Sequence, residues 1–277
     1  MEHHLSDTRQ SFQSLLSVHA EFINPTVINA LTDLSMIPGA NVGEQKGTLG
    51  QIPAHCRLSD CCAYAQRNGL NHLDSFARAM DTSSLSEAVN SIFNTKHLII
   101  VDLGSGASLT WVLLALFAGK IGITEHISVV NVDHAMNMHR ISRHLEEELR
   151  PVLEDFDFSY DRRQLTRPEG IDGFTSSELE NDPSIFIVLN HLLHQNTSTS
   201  LLVPDFVQIA LEACQRVSGA IPMSKAYGIS LEPWGLSRGF GQSGLNQVVN
   251  ELGGSALPAE RVAGDKNGKS IVGFTLP

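Results

Sequence analysis

The stretch that decides the reading is residues 97–108, His97-Leu98-Ile99-Ile100-Val101-Asp102-Leu103-Gly104-Ser105-Gly106-Ala107-Ser108. A short apolar run, Leu98 to Val101, leads into Asp102, and Gly104 and Gly106 follow. From Ser108 to Gly119 the chain is mostly apolar over helical length. The first pattern is that of a buried strand and the last that of a helix. Glycines suit the junction because the backbone must turn sharply and admit a ligand where a Cβ would clash, while the helix start presents free N–H groups. The stretch predicts strand, tight turn and helix, a cradle for a small polar ligand. A turn of purely structural purpose has the same sequence pattern.

Outward from this centre the texture differs on the two sides. Downstream of Lys96 strands and helices alternate, which argues a parallel sheet covered on both faces. Strands are expected at 127–132, ending in Asp133, at 156–160, ending near Asp161, at 185–189, ending in Asn190-His191, and at 227–231, ending at Glu232-Pro233-Trp234. Helices are expected from Ser108 to a C-cap at Gly119, over 135–150 with Pro151 as its stop, over 205–217 and over 243–252. Arg261–Ala263 and Ser270–Thr275 flank a polar turn and read as an antiparallel hairpin. Upstream, 5–22, 25–36, 57–67, 71–80 and 84–93 carry helical periodicity. The glycine-rich loop 38–53 between them has the composition of a lid. The expected fold is α/β, a doubly wound, mostly parallel seven-stranded sheet with an antiparallel C-terminal hairpin. An N-terminal all-helical appendage or lid occupies 1–95 and the ligand-binding domain 96–277.

Composition narrows the partners. The 277 residues carry a formal net charge of −11, which disfavours a nucleic-acid groove and favours a small-molecule substrate. Arg162, Arg163 and Arg167 form the nearest thing to a basic cluster, which a solvated loop explains as well as a binding patch does. No apolar run reaches membrane-spanning length and Met-Glu-His-His does not open a secretory signal, so a cytoplasmic protein that does not bind membranes is expected. The four cysteines, at 56, 61, 62 and 214, contain no C-x-x-C pair, so reduced thiols are expected. His55, Cys56, Cys61 and Cys62 match no standard zinc spacing, and no metal site is expected.

The dinucleotide fingerprint requires a third glycine where this chain has Leu109. Asp102, Gly104 and Gly106 instead resemble the D-x-G-x-G signature of class I S-adenosylmethionine-dependent methyltransferases, which have a Rossmann-like fold. In that family a further glycine often stands at the position of Ser108. The C-terminal hairpin is similar to the family's closing element, so the resemblance spans 96–277, with the first motif its specific part. It implies an enzyme, a transferase with S-adenosyl-L-methionine as cofactor and most simply a methyltransferase of small-molecule metabolism.

The resemblance also implies roles at the strand ends, where ligands of doubly wound sheets bind. Asp102 would face the ammonium of the methionine arm, or only pin the turn. Asp133 would accept the ribose hydroxyls, or serve as a helix cap. Asp161 would fall near the adenine amino group, or be a loop aspartate. Asn190 would lie between cofactor and acceptor, with His191 or His194 as a proton acceptor or merely a hydrogen-bonded histidine. The N-methylating D/N-P-P-Y/F motif is absent, since the chain reads Asn190-His191-Leu192-Leu193. Glu232 is a second acid/base candidate or a strand-end carboxylate, Trp234 could wall an acceptor pocket, and Trp111 reads as core. Cofactor contacts are thus expected from Asp102, Gly104, Gly106, Ser108, Asp133, Asp161 and Asn190. The catalytic candidates are Asn190, His191 and, from the helical cover, Tyr64. Two other outcomes stay open. Relatives of this fold can cyclise or cleave the aminobutyrate arm and release methylthioadenosine, and others have lost catalysis and act as binding partners. A homodimer is compatible with each.

Overall fold

The computed structural model describes residues 23–39, 57–82, 85–107, 109–121, 123–174, 183–190, 192–193, 205–221, 226–233, 236–264 and 268–277. The segment 5–22, the loop 38–53 from residue 40 on, Ser108, His191, His194 and Trp234 lie outside the described residues.

The apolar runs become strands in the middle of one sheet. Strand β1 (His97–Leu103) is buried at every residue and β4 (Ser184–Asn190) at all but its ends, as strands covered on both faces must be. With β2 (His126–Val132), β3 (Ser159–Leu165) and β5 (Ala226–Pro233) they form a parallel array in the order β3-β2-β1-β4-β5. Strand β8 (Lys269–Leu276) runs antiparallel beside β5, pairing Ala226 with Leu276 and Pro233 with Lys269. Beyond it lie two short pieces, β6 (Ser255–Ala256) and β7 (Glu260–Arg261). Between the pairs Ser255–Thr275 and Glu260–Ile271 this outer segment spends one residue more than β8 does. Around Pro258, which has no N–H to donate, the seventh position of the sheet is therefore a bulged edge strand in two parts.

Alternation sorts the side chains into two layers. Leu98 and Ile100 of β1 and Phe186 and Val188 of β4 join one core. That core also contains α1 (Ile23–Asp33), α2 (Leu58–Met80), α3 (Ser86–Phe93), α4 (Leu109–Ile121) and α5 (Met136–Glu154). Ile99, Val101, Ile185 and Ile187 join the other, with α6 (Phe206–Ala220) and α7 (Leu236–Glu251). By the same alternation Asp102 and Asn190 face the layer that holds α2. The N-terminal helices thus share the core of the sheet. Among the described residues no helix is long and apolar enough to cross a membrane, and no group of His, Cys, Asp and Glu is arranged to hold a metal ion.

Several local expectations need correction. The helices expected at 57–67 and 71–80 are one, α2, because Gly69 does not interrupt it. Gly69 sits at a tight approach, since a Cβ there would stand 3.1 Å from Leu31 Cδ1 and 3.3 Å from Leu109 Cδ1. Gly119 is not a C-cap but lies inside α4, with room for no side chain: its Cβ would meet Phe156 Cγ at 2.7 Å. Pro151 does not stop α5, which runs on to Glu154; in the last turn proline forfeits one hydrogen bond without ending the helix. The third strand begins at Ser159, opposite His126, and not at Phe156. Phe156 and Phe158 alternate as strand residues would, but their rings stack at 6.2 Å and close over α4.

Arg162 and Arg163 accordingly lie in β3 and not in a solvated loop. Arg162 is buried against Glu146 at 2.5 Å, with Asn131 and Ser142 as further partners and the Trp111 ring 5.8 Å away. Arg163 donates to the carbonyls of Gly170 and Gly173. Trp111 is core, as its helical position implied, at 1 % exposure. Cys61 is disulfide-bonded, which corrects the expectation of reduced thiols there. Cys62 and Cys214 are free, and burial pushes their thiols up to about 11 and about 12.

Candidate functional site

The strand order reverses between β1 and β4, whose crossover connections leave in opposite directions, and a crevice opens outside their carboxyl ends. The glycine turn forms one wall. Gly104 and Gly106 have φ of +67° and +52°, the left-handed region that side-chain-bearing residues rarely adopt. The N–H groups of Gly104 and Ser105 both donate to the Val132 carbonyl, at 2.8 and 3.3 Å, tying the turn to the end of β2. The two glycines differ in their surroundings. A Cβ on Gly104 would stand 2.8 Å from Leu192 Cδ1, whereas one on Gly106 would have no neighbour nearer than the Gly104 carbonyl at 4.0 Å. At Gly104 the backbone conformation is what calls for glycine, since the Leu192 methyl could shift, and at Gly106 there is open space as well.

Asp133, just past β2, clamps this turn. One carboxylate oxygen accepts from the Gly106 N–H at 2.8 Å and the other from the Ala135 N–H at 2.8 Å, where α5 begins. Its side chain therefore serves the local fold, and each oxygen keeps a lone pair for a further donor.

Behind the turn a small cavity of about 70 Å³, open to solvent, is lined by Asp102, Ser105, Thr110 and Asn190 from β1, the turn, α4 and β4, and by Tyr64 and His72 of α2. Asp102 is 1 % exposed, and neither carboxylate oxygen has a hydrogen-bond partner. Burial first, and the charge of Asp133 second, push its carboxyl up to about 8. Asn190 is oriented by donating from Nδ2 to Thr110 Oγ1 at 3.2 Å, which leaves its buried Oδ1 without a partner. Buried acceptors are normally paired, and leaving them unpaired is costly. Once Asp102 is ionised, these three atoms lining one cavity are all acceptors for a donor that the protein does not supply, best a cation. Tyr64 stands opposite; burial and the Asp133 charge push its hydroxyl up to about 12, so it remains a donor. Its ring meets that of His72 edge-on at 6.0 Å.

The structure brings together Tyr64, Asp102, Gly104 and Asn190 around this cavity, with Gly106 and Asp133 beside it. It does not bring Asp161. Because β3 starts three residues later than the sequence pattern suggested, Asp161 lies level with Ser128, toward the opposite end of the sheet, and pairs with His126 at 3.1 Å. Glu232 faces the other layer and accepts from the Leu193 N–H at 2.9 Å, fixing the chain after β4. Ser105, Thr110 and His72 line the cavity although the sequence singled out none of them. His72 stands eight residues after Tyr64, a helical same-face spacing, and this becomes legible once α2 is seen as one helix.

No protein-family model and no curated protein sequence matches this chain. Among solved structures, 89 chains match. One is described as a class I S-adenosylmethionine-dependent methyltransferase from Listeria monocytogenes, at 13% identity over 91% of this chain and 87% of that one, with a TM-score of 0.49. The magnesium protoporphyrin IX methyltransferase of Synechocystis PCC 6803, with bound S-adenosylmethionine, is 10% identical over 83% of this chain and 100% of that one, TM-score 0.39. The CMeT domain of the citrinin polyketide synthase is 14% identical over 95% and 68%, TM-score 0.44. Likenesses at this level assign no activity to the chain, whose chemistry has to be read from the cavity.

Proposed function

We propose that the chain binds S-adenosylmethionine at the ends of β1 and β4 and transfers its methyl group to a small-molecule acceptor. The observation that carries this reading is the set of unpartnered, buried acceptors of Asp102 and Asn190 behind a glycine turn with open space above Gly106. That set fits the cofactor's charge. Asp102 would take the ammonium of the methionine arm, Gly106 would let the chain of the cofactor pass, and Asp133 would accept ribose hydroxyls with the lone pairs its two N–H bonds leave over. Asn190 would be held by Thr110 with its carbonyl toward the arm. Asn190 and its sequence neighbour His191 remain the groups proposed to meet the acceptor.

When bound, S-adenosylmethionine supplies a methyl group already activated on a sulfonium. What is left to the protein is in-line positioning and exclusion of water, with a base where the acceptor must lose a proton. Helix α2 covers the cavity and does the excluding. The described lining contains no Lys or Arg to pair with an anionic acceptor, so neutral or cationic acceptors suit it best.

Methyl-labelled S-adenosylmethionine incubated with the protein and a metabolite extract tests this. The expected products are S-adenosylhomocysteine and a labelled small molecule, with methylthioadenosine at background when no acceptor is present. Label found in RNA or protein would contradict the acceptor class. Rapid acceptor-free release of methylthioadenosine would replace methyl transfer by attack within the aminobutyrate arm.

A further inference from the structure

We infer that two copies of the chain associate through the outer edge of β3, which pairs antiparallel with its own counterpart about a two-fold axis at Arg162. This association does not depend on the proposed function.

The two edges of the sheet are built differently. One is blunted, its outermost strand reduced to the short pieces β6 and β7 with a bulge around Pro258. The other, β3, is a regular run of seven residues without glycine, proline or lysine, and no strand lies beyond it among the described residues. The register fixes where its main-chain groups point. Ser159 donates to the Glu125 carbonyl and Leu165 accepts from the Asp133 N–H, so Ser159, Asp161, Arg163 and Leu165 turn their main chain toward β2. Tyr160, Arg162 and Gln164 therefore turn theirs outward, which makes the edge a template for another strand.

Charge selects a second copy of the same strand as the occupant. In antiparallel pairing centred on Arg162, that residue lies opposite its counterpart and Tyr160 lies opposite Gln164, so each outward N–H meets an outward C=O. Asp161 of each copy then stands directly opposite Arg163 of the other, in closely spaced pairs on the face that Leu165 shares with the layer of α6 and α7. Sliding the strands by two residues either way sets Asp161 against Asp161 or Arg163 against Arg163, so the charges fix one register. Both are available for it: Asp161 is 47% exposed, and Arg163 donates to the Gly170 and Gly173 carbonyls and has no carboxylate partner among the described residues. The two Arg162 side chains point to the other face, where each is buried against Glu146 of its own chain at 2.5 Å, so their meeting brings no unpaired charges together.

Sedimentation velocity over a range of protein concentrations, joined to amide hydrogen exchange, tests the inference. The wild type should dimerise reversibly, with the amides of Tyr160, Arg162 and Gln164 exchanging more slowly as the dimer forms. Asp161→Arg and Arg163→Glu each set like charges opposite one another twice, so each variant alone should dimerise about tenfold or more weakly. Mixed in equal amounts the two should form a heterodimer, because each then meets the charge it lacks. Gln164→Pro removes an outward N–H and no bond of the ladder to β2, so it should be monomeric with a circular dichroism spectrum like that of the wild type. Gln164→Ala, which like the proline loses the side-chain bond to the His139 carbonyl but keeps the N–H, should dimerise as the wild type does. A monomeric wild type would overturn the inference. So would a dimer in which those three amides exchange at the rate of the monomer, a dimer that survives Gln164→Pro, or two folded charge variants that do not pair on mixing.

Discussion

Asp102 is the residue on which the chemistry turns, and its burial makes its behaviour depend on pH. In the ligand-free protein its carboxyl holds a proton to about pH 8, while in the unfolded chain it ionises near 3.8. Between those values the native state binds more protons than the unfolded one. Its contribution to stability therefore falls as pH rises from about 4 to about 8 and levels off above. Asp102→Asn removes the titration, so the ligand-free variant should gain more in melting temperature over wild type at pH 8 than at pH 5 by scanning calorimetry. An equal gain at both would mean that the group is ionised throughout. The groups that face this carboxyl, Asp133 from the β2 end and Tyr64 and His72 from α2, are unchanged in that variant. A cationic ligand should ionise Asp102 and release its proton. Titration of S-adenosylhomocysteine near pH 6.5 in buffers of different ionisation enthalpy should show that release, and affinity should climb with pH toward 8. Asp133 has two tasks, and its loss should register in both. Asp133→Ala should cost roughly 1 kcal/mol of stability from the lost Gly106 and Ala135 bonds. It should also cost about 1–3 kcal/mol of nucleoside affinity from the lost ribose acceptor, read by denaturant unfolding and by calorimetry. Loss of stability alone would leave Asp133 as a clamp of the turn.

At the scale of elements, contacts distant in sequence set the boundaries. In an exposed helix interior, replacing glycine by alanine gains about 1 kcal/mol. At Gly119 the added Cβ would run into Phe156 and Phe158 at 2.7 and 2.8 Å, which costs about 1–3 kcal/mol by overpacking. Gly119→Ala is therefore expected to destabilise on balance, as measured by urea denaturation; a stabilised variant would show that the two rings move aside freely. The same residues show why parts of the chain were legible in sequence and others were not. The motif from Asp102 to Gly106 reads correctly because its requirements are local: a strand end, positive φ and a missing Cβ. The roles of Gly69 and Gly119 are not legible in sequence, because what each packs against lies far along the chain. Phe156 and Phe158 alternate as strand residues do, yet they seal a helix. That displacement of β3 removed Asp161 from the predicted site, and the division of α2 into two helices concealed His72.

At the scale of the molecule, the sheet brings two acceptors to one crevice by parity alone. Asp102 and Asn190 lie on strands whose alternate residues face the same layer, at the point where the strand order reverses. The helices that cover that layer share its core, so cover and sheet are parts of one packed body, and the cavity between them keeps the Asp102 carboxyl buried. The central claim is that this cavity is built for S-adenosylmethionine, and ligand-dependent thermal unfolding tests it most directly. S-adenosylmethionine and S-adenosylhomocysteine should raise the melting temperature in proportion to their saturation of the native state, NAD and NADP should not, and Asp102→Asn should abolish most of the shift. Stabilisation by NAD or NADP with none by either sulfur nucleoside would contradict it.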